Sequence, residues 1–343
     1  MTKLKKWIDI HIESIYIIFL NVYILALILD TNFVYALYIN SIIIKILKLP
    51  IIVVSVYKIL FIDYKSYNWK NVIVLTSIML LLCISMIVSH SSNLVQLFII
   101  IVGSYKLDFD KIIKTTLIFE GSIFLFIIVI SLIGILPNWT FTRGKEIVRN
   151  SFGFQYSSYL SIFIFSFSIY YLYYRKQNIK WYEYLILSGL NFVSFIVTNT
   201  RLPLLLSVLS IVLFVFLNRK RYMLNKKSKK LILNSLFFLF VSCICVSIIL
   251  PIIYDNDVQW LNKLNEILSD RLALGKKGLN NYGIKLFGNK IEIIGLAMIH
   301  EGVANITDFF VIDSTYFSIL LENGILVMLV LTYYLLKINI HYQ

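Results

Sequence analysis

Apolar runs of membrane-crossing length recur along the whole chain, at residues 12–29, 33–62, 72–88, 112–136, 157–174, 181–197, 202–217, 231–253 and 315–336, with a shorter run at 94–103. A hydrocarbon core about 30 Å thick takes roughly 20 residues of helix. It offers backbone groups no water, so a crossing segment must satisfy them within itself or in a closed barrel. The alternating strands of a membrane barrel are absent from the sequence. The expectation is an all-α, polytopic membrane protein with about ten transmembrane helices and a large outer loop before the last one. Residues 33–62 include Lys45, Lys48 and Pro50 and read as one tilted or kinked helix, because a split at Lys45 leaves a first half too short to cross.

The charges set the orientation. Only 15% of the 343 residues are charged and 59% are hydrophobic, whereas a soluble domain has about 25% charged residues. The net charge is +14, and cytoplasmic loops are where membrane proteins collect Lys and Arg. Lys65 and Lys70, then Lys106, Lys111 and Lys114, then Arg175, Lys176 and Lys180, then the run from Arg219 to Lys230, occupy alternate turns. The turns near Asp30 and Ser91 hold no cation. Both termini are therefore expected in the cytoplasm, and the surplus charge is a matter of topology rather than of nucleic-acid binding. The acid-free run at 219–230 also suits anionic headgroups of membrane lipids. The basic start at 2–6 precedes an apolar run with no small-residue cleavage site, so it reads as the inner flank of the first helix. Cys83, Cys243 and Cys245 lie inside apolar spans and read as buried structural cysteines.

Three segments on the expected outer side break the charge rule: 137–156, the tight turn 198–201, and 254–308. A rigid scaffold that presents loops puts its function there. In the first, Arg149 precedes Phe152-Gly153-Phe154. It reads either as an Arg reaching to lipid headgroups or as a clamp on an anion, since guanidinium binds phosphate oxygens bidentately. Gly153 allows close backbone approach. In the second, Thr200 reads as a helix cap and Pro203 fits a first turn. Arg201 then stands at a helix start, where free N–H groups also favour anions.

In the third, Val258, Leu261, Leu264 and Leu268 share one helical face, which predicts an amphipathic helix over 257–270 lying on the membrane surface. Residues 271–290 follow with Arg271, Lys276, Lys277, Lys285 and Lys290 and no acid, which suits a polyanionic or diphosphate-bearing partner. Gly275, Gly278, Gly283 and Gly288 favour turns over helix there. Asp313 and His300 are candidate general bases. Asp313 also fits a helix cap, and His300 a plain loop residue. No HExxH, paired CxxC or outer DxD occurs, which disfavours a metal-dependent transferase, and no cofactor motif is present. Without a P-loop the chain is not itself an ATP-driven pump.

The stretches V-R-N-S-F-G-F at 148–154, T-N-T-R-L-P-L-L at 198–205, S-D-R-L-A-L at 269–274, F-G-N at 287–289 and D-S-T-Y-F-S-I-L-L-E-N-G at 313–324 together resemble the O-antigen polymerase (Wzy-type) family. They follow the family's order over about half the chain. The chain departs where members often carry His-Pro-Asn, having Gln155-Tyr156-Ser157, and where they carry Asp-Asn, having Asp313-Ser314.

The resemblance implies a multi-pass protein of the bacterial cytoplasmic membrane. It implies a metal-independent glycosyltransferase that moves a growing glycan from undecaprenyl pyrophosphate onto the next lipid-linked repeat unit, at the outer face, in capsule, exopolysaccharide or O-antigen synthesis. Arg149, Arg201, Arg271, Lys276, Lys277, Gly153 and Gly288 are then the pyrophosphate- and glycan-binding candidates, and Asp313 or His300 the base. A chain-length regulator and the pathway's flippase are the implied protein partners. An O-antigen-ligase-like transferase shares this architecture and chemistry. A lipid-linked oligosaccharide flippase is the alternative of another class, and it calls for internal repeats and charges deep in the spans.

Overall fold

The computed structural model describes residues 3–31, 41–143, 147–176, 178–220, 226–295, 305 and 309–341. In chain order the elements are α1 (Lys3–Asp30), α2 (Ser41–Tyr57), α3 (Trp69–Ser89), α4 (Asn93–Gly103), α5 (Phe109–Leu132), β1 (Thr140–Arg143), β2 (Ile147–Asn150), α6 (Ser157–Arg175), α7 (Trp181–Thr198), α8 (Arg201–Lys220), α9 (Lys226–Ile253), α10 (Gln259–Ile267), α11 (Arg271–Tyr282), α12 (Thr315–Glu322) and α13 (Ile325–His341). The chain divides into two compact units, Met1–Lys65 with Ile99–Met223, and Ser66–Phe98 with Leu224–Gln343.

The helical expectation holds, because apolar runs with few breakers leave the backbone no better way to satisfy itself. Among the described residues, four helical segments are long and apolar enough to cross a membrane: Ile10–Asp30, Trp69–Ser89, Phe109–Leu132 and Arg201–Asn218. Their outward faces carry Ile18, Leu80, Leu125 and Leu205, all well exposed. A water-soluble monomer rarely exposes apolar patches beyond a few hundred Å². Surfaces of this kind belong in hydrocarbon.

In the first unit, α1, α2 and α5 close around Tyr16, Tyr23, Ile51 and Ile112, and the Tyr16 hydroxyl donates to the Ile100 carbonyl at 2.7 Å. Phe124 and Ile127 of α5 meet Phe154 and Leu160. Leu172, Leu187 and Ile211 join α6, α7 and α8. In the second unit, Ile244 of α9, Phe317 and Leu321 of α12 and Met328 of α13 form one core. Tyr254, Leu261 and Leu272 form another, between the end of α9, α10 and α11.

Several local expectations are corrected, among them the buried cysteines: Cys243 and Cys245 are exposed on α9 and Cys83 is half-buried. The run at 33–62 is described from residue 41, and it ends in a π-helical turn, Lys58–Ile62, and a 3₁₀ turn, Asp63–Ser66. Buried Lys58 there ion-pairs with buried Asp63 and donates to the Tyr105 carbonyl. The run at 94–103 forms an 11-residue helix, which covers only about 16 Å. The run at 315–336 is broken at Asn323-Gly324 into α12 and α13. Residues 271–282 are a helix rather than glycine-led turns. Gly275 and Gly278 are buried in it, where a Cβ at Gly275 would come 2.7 Å from Pro251 and one at Gly278 3.1 Å from Phe310. Close packing outweighs the cost of each helical glycine, which is about 1 kcal/mol.

Candidate functional site

In the first unit the site candidates hang on a β-hairpin and a helix turn. The strands pair antiparallel with Phe141 opposite Arg149. Asn138 Oδ1 accepts from the Ser151 and Phe152 backbone N–H at 3.1 and 2.9 Å, and Ser151 Oγ accepts from Trp139 N–H at 2.9 Å. These bonds close the hairpin base. Phe152 and Gly153 then take positive φ, which delivers Phe154 into the core. A Cβ at Gly153 would stand 3.0 Å from Leu136. Local packing therefore accounts for Gly153.

Arg149 Nε donates to the Thr198 carbonyl at 2.6 Å, and Nη2 donates to Thr200 Oγ1 at 3.2 Å. Thr198 is the last residue of α7 and fully buried. Its hydroxyl donates to Ser194 O at 2.7 Å and accepts from Ser161 at 2.6 Å. A cation on terminal carbonyls satisfies groups that a helix leaves open and complements its dipole. Arg149 thus ties the hairpin to the left-handed turn at Asn199. The headgroup reading is not what the geometry displays. Thr200 Oγ1 is engaged with Arg149 and the Thr198 carbonyl rather than in a cap. Arg201 begins α8, is exposed, and makes no hydrogen bond or ion pair among the described residues.

In the second unit, Arg271 begins α11 and its Nε donates to Asp313 Oδ2 at 2.8 Å, with side chains 47% and 41% exposed. The α12 cap is Ser314, whose Oγ accepts from Phe317 N–H at 3.4 Å, so Asp313 is not the capping residue. The α11 start is closed by buried Asn265, whose Oδ1 accepts from Leu272 and Ala273 N–H at 3.0 and 3.1 Å. Lys276 Nζ donates to the Ile252 carbonyl at 2.8 Å, at the end of α9. Lys277 Nζ lies 3.5 Å from the Phe309 carbonyl and 5.9 Å from the Phe310 ring centroid. Lys290 pairs with Glu292 at 3.4 Å.

Gly288 has a structural assignment. A Cβ there would overlap the Glu322 carbonyl, and one at Gly324 would overlap the Leu286 carbonyl. Asn289 N–H donates to Glu322 O, and Ile325 N–H to Lys285 O, both at 3.1 Å. The F-G-N and E-N-G stretches therefore interlock backbone to backbone across the break between α12 and α13. His300 lies outside the described residues, as do Glu301 and Asp308.

Sequence reasoning passed over Glu120, and it read Lys58 only as one of a few charges in the 33–62 run, without its partner Asp63. Glu120 stands near the middle of α5, only 7% exposed, and makes no hydrogen bond among the described residues. A single acid inside an apolar run was the available signal. The Lys58–Asp63 pair was harder to read, since the π turn that joins the two leaves no signature in the sequence.

Chemically, the second unit sets a cation against a carboxylate at its surface, and the first presents an uncommitted guanidinium at a helix start. Among the described residues, no three His, Cys, Asp or Glu side chains are grouped to hold a metal. No family model, no curated protein and no solved structure matches the chain.

Proposed function

We propose that this protein polymerises lipid-linked oligosaccharide repeat units at the outer face of the bacterial cytoplasmic membrane, through about ten crossings with both termini inside. The acceptor's hydroxyl oxygen attacks the anomeric carbon of the donor glycan. The bond from that carbon to undecaprenyl diphosphate breaks, and the diphosphate leaves with the electron pair. The hydroxyl proton passes to a carboxylate, for which Asp313 is the candidate. The product is a glycan one donor chain longer on the acceptor lipid, plus free undecaprenyl diphosphate.

The observation that carries this reading is the Arg271–Asp313 pair, 2.8 Å apart though 42 residues separate them in the chain. A cation for the leaving diphosphate and a base for the attacking hydroxyl are the two groups that such a transfer needs. The reaction takes two diphosphate-linked substrates, and Arg201, exposed and without a hydrogen bond or ion pair among the described residues, is a further candidate for one of the diphosphates. The resemblance of the five sequence stretches supports the same assignment.

A deletion strain tests it: lipid-linked glycans are extracted and sized. Single repeat units on the outer face are expected. Full-length polymer still on its lipid means a ligase-like transferase instead. Single units trapped inside mean a flippase, the reading favoured by Glu120, which is buried and makes no hydrogen bond among the described residues, since transporters carry charge deep in their spans.

A further inference from the structure

The helix that precedes Arg271 has three faces. Leu261 and Asn265 point inward, and Val258, Leu264 and Leu268 pack with them on Tyr254 and Leu272. Gln259, Lys263 and Glu266 are exposed and polar. The third face carries Trp260 and Ile267, 57% and 66% exposed. They are seven residues apart and so nearly superposed along the helix. The sequence predicts that the Val258/Leu261/Leu264/Leu268 stripe meets the membrane, yet that stripe is spent on the protein's own core. A different apolar pair is left outside.

Its surroundings say what covers it. The exposed apolar stripe of α9 runs through Val246, Ile249 and Ile253 to the end of that helix. Tyr254 follows, buried, its hydroxyl 2.6 Å from Asn256 Oδ1 and 2.9 Å from Asn262 Oδ1. That contact and the shared core clamp α10 to the end of an apolar helix. We propose that α10 lies in the membrane–water interface, with Trp260 and Ile267 buried among phospholipid acyl chains and Lys263 at the headgroups. Trp is suited to this depth, with an apolar ring and a polar N–H.

The consequence reaches Arg271. Asn265 of α10 caps α11 and donates to Asp270 at 2.9 Å, so the end of α10 is bonded directly to the start of α11. An anchored α10 therefore holds Arg271 at the level of lipid phosphates. Only that consequence rests on the proposed function; the placement of α10 does not.

The test uses the full chain in phosphatidylcholine–phosphatidylglycerol nanodiscs, with and without lipids brominated near the headgroup end of their chains. The Trp260 signal is the difference between wild type and Trp260→Phe. Bromine is expected to remove most of that signal, while aqueous acrylamide leaves it. In the Trp260→Phe background, Ile267→Trp is expected to behave alike, and Glu266→Trp to be quenched by acrylamide alone. A Trp260 signal that bromine leaves intact overturns the placement, whether acrylamide quenches it (a ring in water) or does not (a ring covered by protein). These readings are optical, so they stand or fall separately from any effect on polymer.

Discussion

Arg149 and Arg271 look alike in the sequence, each a cation beside a turn in an otherwise apolar chain. The structure uses them differently. Arg149 is bound to the Thr198 carbonyl and the Thr200 hydroxyl, and it fastens a hairpin to a helix end. Arg271 is held by one half-exposed carboxylate, which an incoming anion can replace. An exposed pair of this kind is worth about 0–1 kcal/mol. Charge beside a turn therefore does not by itself mark a ligand site. The partner decides: carbonyls that cannot leave make a brace, and a solvated carboxylate makes an exchangeable contact.

The sharpest way to break this contrast is at the glycines that set the second unit's backbone. Gly288→Ala is expected to have the largest effect of any substitution considered, with loss of folded protein from the membrane. The added methyl overlaps the Glu322 carbonyl, and the residue sits at φ 92°. Strain and displaced backbone hydrogen bonds together exceed about 4 kcal/mol. Membrane-fraction yield and detergent thermal unfolding measure it. Gly275→Ala is expected to cost less, roughly 1–3 kcal/mol, because its clash is with the Pro251 ring in a helix interface. Normal yield of Gly288→Ala would remove the interlocked turn as a structural device.

Next in size is the pair of arginines in the first unit. Arg201→Ala is expected to abolish polymer while leaving protein level and unfolding temperature unchanged, since the side chain is exposed and makes no hydrogen bond or ion pair among the described residues. Arg149→Ala is expected to lower both, by about 1–3 kcal/mol in stability, because the Thr198 carbonyl is left without its charged donor. If Arg201→Ala still makes full-length polymer, its role in the proposed reaction is gone.

Much of the fold was legible because a helix in hydrocarbon announces itself by run length alone. α1, α3, α5, α6, α7 and α8 follow the apolar runs closely. What was hidden depends on distant partners. Arg149 meets a carbonyl 49 residues away. The helix at 271–282 is stabilised by Pro251 and Phe310, so a local reading of its glycines gave turns instead. Gly288 reads as a motif position in the sequence, and its reason is a backbone 34 residues further on. Glu120 stands in the sequence as one acid in a span, but that it makes no hydrogen bond among the described residues is a fact of packing.

Asp313→Asn sharpens the comparison from the other side. Its effect on stability is expected to stay under about 1 kcal/mol. If Asp313 is the base, polymer formation falls by roughly 10²–10⁴. Inorganic pyrophosphate is expected to bind the purified Asp313→Asn protein more tightly than wild type, because Arg271 has lost its internal counter-anion. Arg271→Gln is expected to weaken the same binding. Calorimetric titration distinguishes the outcomes: weaker binding in Asp313→Asn means that the carboxylate orients Arg271 for its ligand rather than competing with it.

The smallest effect separates two neighbours that the sequence treats as equal. Lys276 is committed to the Ile252 carbonyl at 2.8 Å, where it caps the end of α9. Lys277 stands at 3.5 Å from its nearest carbonyl, beyond a normal hydrogen bond, with a distant aromatic face beside it. Lys276→Ala is therefore expected to cost about 0.5–1.5 kcal/mol of stability and to leave pyrophosphate affinity unchanged. Lys277→Ala is expected to do the reverse, leaving unfolding untouched and weakening pyrophosphate binding by a few-fold, more at low salt than at high, because an exposed cation acts through a screened field. Equal losses of affinity in both variants would mean that the Ile252 contact is given up on binding, and Lys276 would then join Arg271 as an exchangeable cation rather than Arg149 as a brace.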